Sequence, residues 1–182
     1  MLRREVNSRH EIAVLHKFIE HLKKQGKDAE IICRPDPPDA IVIINGSKYW
    51  IEFTDVFLSP ALAESITSYI ADDKKHKPAS IEPQKASELT QHFDEVAFNN
   101  LINDSIKTKH EKMKTVATQN GPGILIVGIE NPFSSAEGES LTHRISIDPN
   151  VFKSVYFYDS HDTISNDRGF SRSGFYRANT YF

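Results

Sequence analysis

Cysteine is nearly missing from this chain: of 182 residues only Cys33 carries a thiol, so no disulfide can close within it. A chain without such staples fits a reducing compartment, and a cytoplasmic protein is expected. No apolar run approaches the ~18 residues needed to span a bilayer, and the charged opening MLRREVNSRHE lacks the apolar segment of a secretion signal. Positive charge is also in short supply. The formal net charge is −3, the wrong sign for a protein that wraps nucleic acid without specificity, although a local basic cleft needs no basic total. Several catalytic patterns are missing as well. In HEIAVLH the histidines, His10 and His16, are six residues apart and do not share a helix face as zinc ligands at i and i+4 do. The glycines of GPGILIVG precede and follow an apolar strand instead of opening a helix, so no dinucleotide site is indicated, and no G-x-S-x-G elbow occurs. Cys33 sits inside an apolar run and is expected in the core.

What remains is an ordinary globular composition, 38% hydrophobic and 26% charged, enough for one domain over residues 1–182. Ser8-Arg9-His10-Glu11 has the form of a capping box, followed by Ile12, Leu15, Phe18, Ile19 and Leu22 at helical spacing and by Gly26 as a stop. AEIIC, Ala29–Cys33, predicts a strand. DAIVII and SKYWIEFT predict two more, joined at Asn45-Gly46, whose tolerance of positive φ suits a two-residue hairpin turn. A helix is expected over Leu58–Ala71, an exposed loop over DDKKHKPASIEPQK, and a long helix from Ser87 to about Ala117. ILIVGIE, Ile124–Glu130, reads as a central strand; NPFSSAEGES is loop. LTHRISI and VFKSVYFY predict two strands around Asp148-Pro149-Asn150, and the tail from Asp159 receives no assignment. The result is an α/β fold, a mixed central sheet flanked by helices with extra C-terminal strands.

The hairpin carries the chemistry. With its turn at 45 and 46, facing residues have numbers summing to 91, so Asp39 faces Glu52 and Thr54 shares their side of the sheet. That side also bears Ile41, Ile43 and Trp50, while Val42, Ile44, Tyr49, Ile51 and Phe53 line the other. Facing carboxylates on a half-buried sheet repel, and they either share a proton or hold a cation. The competing reading is that Asp39 merely ends its strand after Pro38 with Glu52 exposed; a register slip would bring Asp36 forward instead.

The residues Pro38, Asp39, Glu52 and Thr54, with the helix–strand–strand–strand–helix–strand order over about residues 8 to 130, resemble the PD-(D/E)xK, restriction-endonuclease-like nucleases. The resemblance implies that Asp39, Glu52 and the main-chain carbonyl of Phe53 hold Mg²⁺ or Mn²⁺, and that nucleic acid, DNA by preference, is the substrate. It implies a supporting acid on the first helix, where Glu11 is the match; the capping box is the alternative use of Glu11. Many such nucleases act as dimers, which raises a homodimer here, although no stretch marks an interface. The pattern departs from the family at Thr54, where a lysine is usual.

Some members carry that lysine on the following helix. Here Phe98, Ile102, Ile106, Met113 and Val116 form an apolar stripe, and Lys109 falls inside it. An ammonium in such a stripe must snorkel or meet a partner, for which Asp39 and Glu52 are the candidates; Lys112 is the second choice. The alternative is a solvated basic face of Lys107, Lys109, Lys112 and Lys114. On the nuclease reading the loop Asp72–Gln84, with Lys74, Lys75 and Lys77, is a candidate to close over a substrate; Arg168, Arg172 and Arg177 interleave with Phe170, Phe175 and Tyr176 in a manner suited to phosphate and base contacts, and a plain surface tail is the alternative there. A protein that keeps such a fold for binding alone, or for a purely structural role, is the rival reading.

Overall fold

A computed structural model describes residues 3–57, 95–130, 145–159, 174–178 and 180–181. Helix α1, Arg3–Lys24, is followed by β1 (Ala29–Cys33), β2 (Ala40–Ile44) and β3 (Ser47–Phe57). Helix α2, Glu95–Asn120, leads into β4 (Gly123–Glu130), and the chain continues with β5 (Ile145–Ser146), β6 (Phe152–Asp159), β7 (Gly174–Arg177) and β8 (Thr180–Tyr181). The fold is α/β. Six strands form one mixed sheet in the order β1-β2-β3-β4-β6-β7, and β5 pairs with β8 in a separate two-stranded sheet. The first three strands are joined antiparallel, β3, β4 and β6 run parallel, and β7 closes the far edge antiparallel.

The local signals explain most of these boundaries. Asn45 and Gly46 adopt φ of 50° and 77°, and every β2–β3 pair, from Ile44↔Ser47 to Ala40↔Ile51, sums to 91 as the hairpin rule requires. Gly26, at φ 77°, ends α1: its amide donates to the Lys23 carbonyl and the Lys27 amide to the Leu22 carbonyl. Those two bonds are the pair that satisfies the last carbonyls of a helix through a left-handed residue. The start of α1 differs from expectation. The helix begins at Arg3, so Ser8 and Glu11 lie within it and form no capping box; their side chains turn instead to Arg34.

Each helix covers one face of the sheet. Val14, Leu15, Phe18, Ile19 and Leu22 of α1 pack with Val42, Ile51, Phe53, Ile126 and Tyr156. Ile102, Ile106, Met113 and Ala117 of α2 pack with Ile41, Trp50, Val56, Leu125 and Val127 on the other face. Covered on both sides, β4 is buried from Gly123 to Ile129, as its unbroken apolar run predicts. Trp50 lies over Gly123, where a Cβ would run into the indole ring, and its Nε1 donates to the Gly121 carbonyl at 2.6 Å.

Strands stand on both sides of Asp148-Pro149-Asn150, β6 joined to β4 and β5 to β8. The tail, which its sequence leaves without an assignment, contributes β7 and β8. A further expectation is corrected. Cys33 is exposed and not core, because β1 is an edge strand whose register shifts between Ile31 and Cys33. The expected helix over Leu58–Ala71, the loop with Lys74, Lys75 and Lys77, the Ser87 cap, the NPFSSAEGES loop, and Phe170, Arg168 and Arg172 lie outside the described residues. Among the described residues, no helix is long and apolar enough to cross a membrane.

Candidate active site

β2 is shorter than β3, and the site forms where it stops. Ala40↔Ile51 is the last β2–β3 pair, so the next backbone donor of β3 facing that side, the Phe53 amide, has no strand opposite among the described residues. Asp39 takes over: its Oδ2 accepts the Phe53 N–H at 2.8 Å. A carboxylate thus stands in for a missing ladder carbonyl. In an extended strand a residue's N–H and C=O point to the same side, so the Phe53 carbonyl also faces the gap beside Asp39.

Glu52 points to the α2 face, between Trp50 and Thr54. Glu52 and Ser154 are the buried polar side chains among the described residues, Glu52 being 7% exposed. Its Oε1 accepts from Lys109 Nζ at 2.6 Å, while Oε2 is buried without a hydrogen bond. The Asp39 amide also pulls the Glu52 pKa down. Lys109 is therefore turned inward from the apolar stripe, whereas Lys107, Lys112 and Lys114 are exposed and Lys114 pairs with Glu111 at 2.7 Å. One turn before Lys109, Ser105 Oγ lies 3.0 Å from Thr54 Oγ1. The two contacts form a ladder because two strand residues and four helical residues both advance about 6 to 6.6 Å. The threonine at the position where the resemblance calls for lysine is held by a helix hydroxyl, and the ammonium arrives from the next turn of the same helix.

Glu11 approaches from α1. Its Oε2 accepts from Arg34 NH2 at 3.1 Å, and Arg34 NH1 reaches Ser8 Oγ at 3.4 Å. Asp55, next on the α1 face of β3 after Phe53, lies 3.4 Å from His10 Nε2 and over Gly128, where a Cβ would meet its carboxylate. Neither Arg34 nor Asp55 was singled out from the sequence. Arg34 was legible only as the residue between the first strand and the proline-rich link to Asp39; nothing local says that it reaches back to α1.

The electrostatics are those of crowded acids. Burial raises the Glu52 pKa, with Asp39 adding to the rise and the Lys109 bond opposing it. Burial likewise raises Asp39, against the pull of the Phe53 amide, Lys109 and Arg34 and with a push from Asp36. Glu11 is raised by burial and by Asp39 and Asp55, against Arg34 and Lys109. Lys109 and Arg34 are thus outnumbered by the carboxylates they serve, and a further positive charge would be welcome there.

Among the described residues, no group of three or more His, Cys, Asp or Glu side chains is gathered for a metal. The donors do fit a hard divalent ion that keeps most of its waters: two adjacent carboxylates, the unpartnered Glu52 Oε2 and a main-chain carbonyl turned to the same gap. No family model matches the chain, and no curated protein or solved structure shows significant similarity to it.

Proposed function

We propose that this chain is a Mg²⁺- or Mn²⁺-dependent nuclease built on a restriction-endonuclease-like αβββαβ core, hydrolysing phosphodiester bonds with DNA as the favoured substrate. The observation that carries the reading is the 2.6 Å pair between Lys109 and the buried Glu52, set across the hairpin from Asp39. A structural ion pair explains the pairing of Glu52 Oε1. It does not explain why a second acid stands beside it while Oε2 goes unpartnered.

In this reading Asp39, Glu52 and the Phe53 carbonyl hold the ion. When bound, the ion acidifies a water and offsets charge on the scissile phosphate. Asp39 is oriented by its bond to the Phe53 amide, which fixes its free edge toward the gap. Lys109, fastened to Glu52 and braced one turn away by Ser105–Thr54, presents an ammonium where negative charge develops on the phosphate oxygens. Glu11, whose raised pKa makes it a readier proton acceptor than an ordinary surface glutamate, supports the attacking water.

Nicking of supercoiled plasmid with Mn²⁺ or Mg²⁺ tests this. Asp39→Ala, Glu52→Ala and Lys109→Ala are each expected to lower the rate by about a hundredfold or more. Equal rates in wild type and all three variants would remove the assignment. The rival is a non-catalytic nuclease-fold module that binds nucleic acid or a protein, favoured by Thr54 in place of lysine and by the absence of a three-ligand group among the described residues. Calorimetry with Mn²⁺ separates the two, since the module requires no ion.

A further inference from the structure

Arg34 is the side chain the proposed mechanism leaves without a task. It follows β1 directly and opens the link that ends at Asp39, so its guanidinium stands beside the acidic centre while belonging to neither helix. Its present partners are both on α1, one turn apart: the Glu11 carboxylate at 3.1 Å and the Ser8 hydroxyl at 3.4 Å, close to the limit of a hydrogen bond. The pair is open to solvent, with side-chain exposures of 28% for Arg34 and 31% for Glu11, so an incoming anion can reach it. Arg34 and Lys109 are the cations whose charge acts on both Glu11 and Asp39. Lys109 is committed to a buried carboxylate, whereas Arg34 is committed to a half-exposed one. A planar guanidinium fork suits two phosphate oxygens as well as it suits a carboxylate.

We propose that Arg34 is the phosphate-receiving residue of this centre: a phosphodiester of the substrate replaces the Glu11 carboxylate on its guanidinium and releases Glu11 toward Asp39 and Glu52. The inference rests on the nuclease reading and adds to it a substrate contact and a trigger. Before substrate binds, Arg34 holds Glu11 aside. Once substrate is bound, Glu11 faces the cation site, where its charge is wanted.

Fluorescence anisotropy of a short labelled DNA oligonucleotide, with Ca²⁺ in place of Mg²⁺ to hold cleavage off, reads the exchange directly. Arg34→Ala is expected to weaken binding about tenfold or more, and Arg34→Lys by less, because lysine keeps the charge and loses the fork. Glu11→Gln removes the competing carboxylate and is expected to tighten binding a few-fold. That gain must vanish in the Arg34→Ala background, since simple relief of repulsion between Glu11 and DNA would persist there. Additive effects in this cycle overturn the proposal, as does unchanged binding by Arg34→Ala or no binding by the wild type. Mn²⁺ calorimetry on the same proteins keeps the two inferences apart: Arg34→Ala should not lower Mn²⁺ affinity, and a wild type that takes up no Mn²⁺ refutes the metal-dependent reading whatever the oligonucleotide does.

Discussion

The two halves of β3 share a strand but not a physics. From Ser47 to Ile51 it is paired on its β2 side throughout, and Trp50 and Ile51 are almost completely buried in opposite cores. From Glu52 to Phe57 its one neighbour among the described residues is β4; beside the buried Phe53 and Val56 stand Glu52, Thr54 and Asp55, each met by a polar group of another element. The difference comes from where β2 begins. A strand two residues longer, with residue 38 opposite, would have given the Phe53 amide a backbone acceptor and closed the edge. Because β2 starts at Ala40, a side chain must serve, and the residue supplying it is an acid beside another acid. The first half holds the packing around Trp50 and Ile51, and the second gathers the acids with their polar partners.

The comparison breaks most easily in the apolar half. Trp50→Ala removes a ring packed against Gly123 and Phe152 and is expected to cost about 3–5 kcal/mol in urea denaturation. A loss below about 1 kcal/mol would mean that the half called structural is not.

Lys109→Ala comes next. It strips a partner from a buried carboxylate, which is worth up to about 3–5 kcal/mol when the pair is fully enclosed. With Lys109 24% exposed, about half that is expected at neutral pH. The loss should shrink in acid, where Glu52 escapes by taking a proton.

The acids themselves give a smaller effect of opposite sign. Asp39, Glu52 and Glu11 have folded pKa values raised above their ordinary ones, so the folded chain binds protons more tightly than the unfolded chain. Stability should therefore fall as pH rises from the ordinary carboxylate range through the raised values, and saturating Mn²⁺ should flatten that decline. A decline unchanged by Mn²⁺ would separate the acids from any ion.

The smallest effect discriminates best. Asp39→Asn keeps an oxygen for the Phe53 amide, whereas Asp39→Ala leaves that amide unpaired and costs about 1 kcal/mol more. Both should abolish Mn²⁺ binding, so stability and ion affinity would part company in the asparagine variant.

Much of this was legible beforehand, and for local reasons. Asn45-Gly46 fixes the hairpin register, the register fixes which residues face Asp39, and a lysine inside the apolar stripe of α2 announces a buried partner. What was not legible depends on distance. Arg34 reaches Glu11 across 23 residues of sequence, and nothing around either position encodes the meeting. The capping box at Ser8 was outcompeted because Arg3–Asn7 continue the helix without a stop. β6 sits beside β4 and not β5 because a sheet chooses its neighbours by burial on both faces, a property no short stretch displays. Short strands such as β7 and β8 carry too few residues for a period to be read.

Cys33, turned outward by the slipped register at the edge of the sheet, has a practical consequence. It is the single thiol of the chain and the immediate neighbour of Arg34, so a nitroxide attached there needs no mutagenesis. Paramagnetic broadening between that label and manganese would give a ruler laid from the rim of the molecule to its acidic heart.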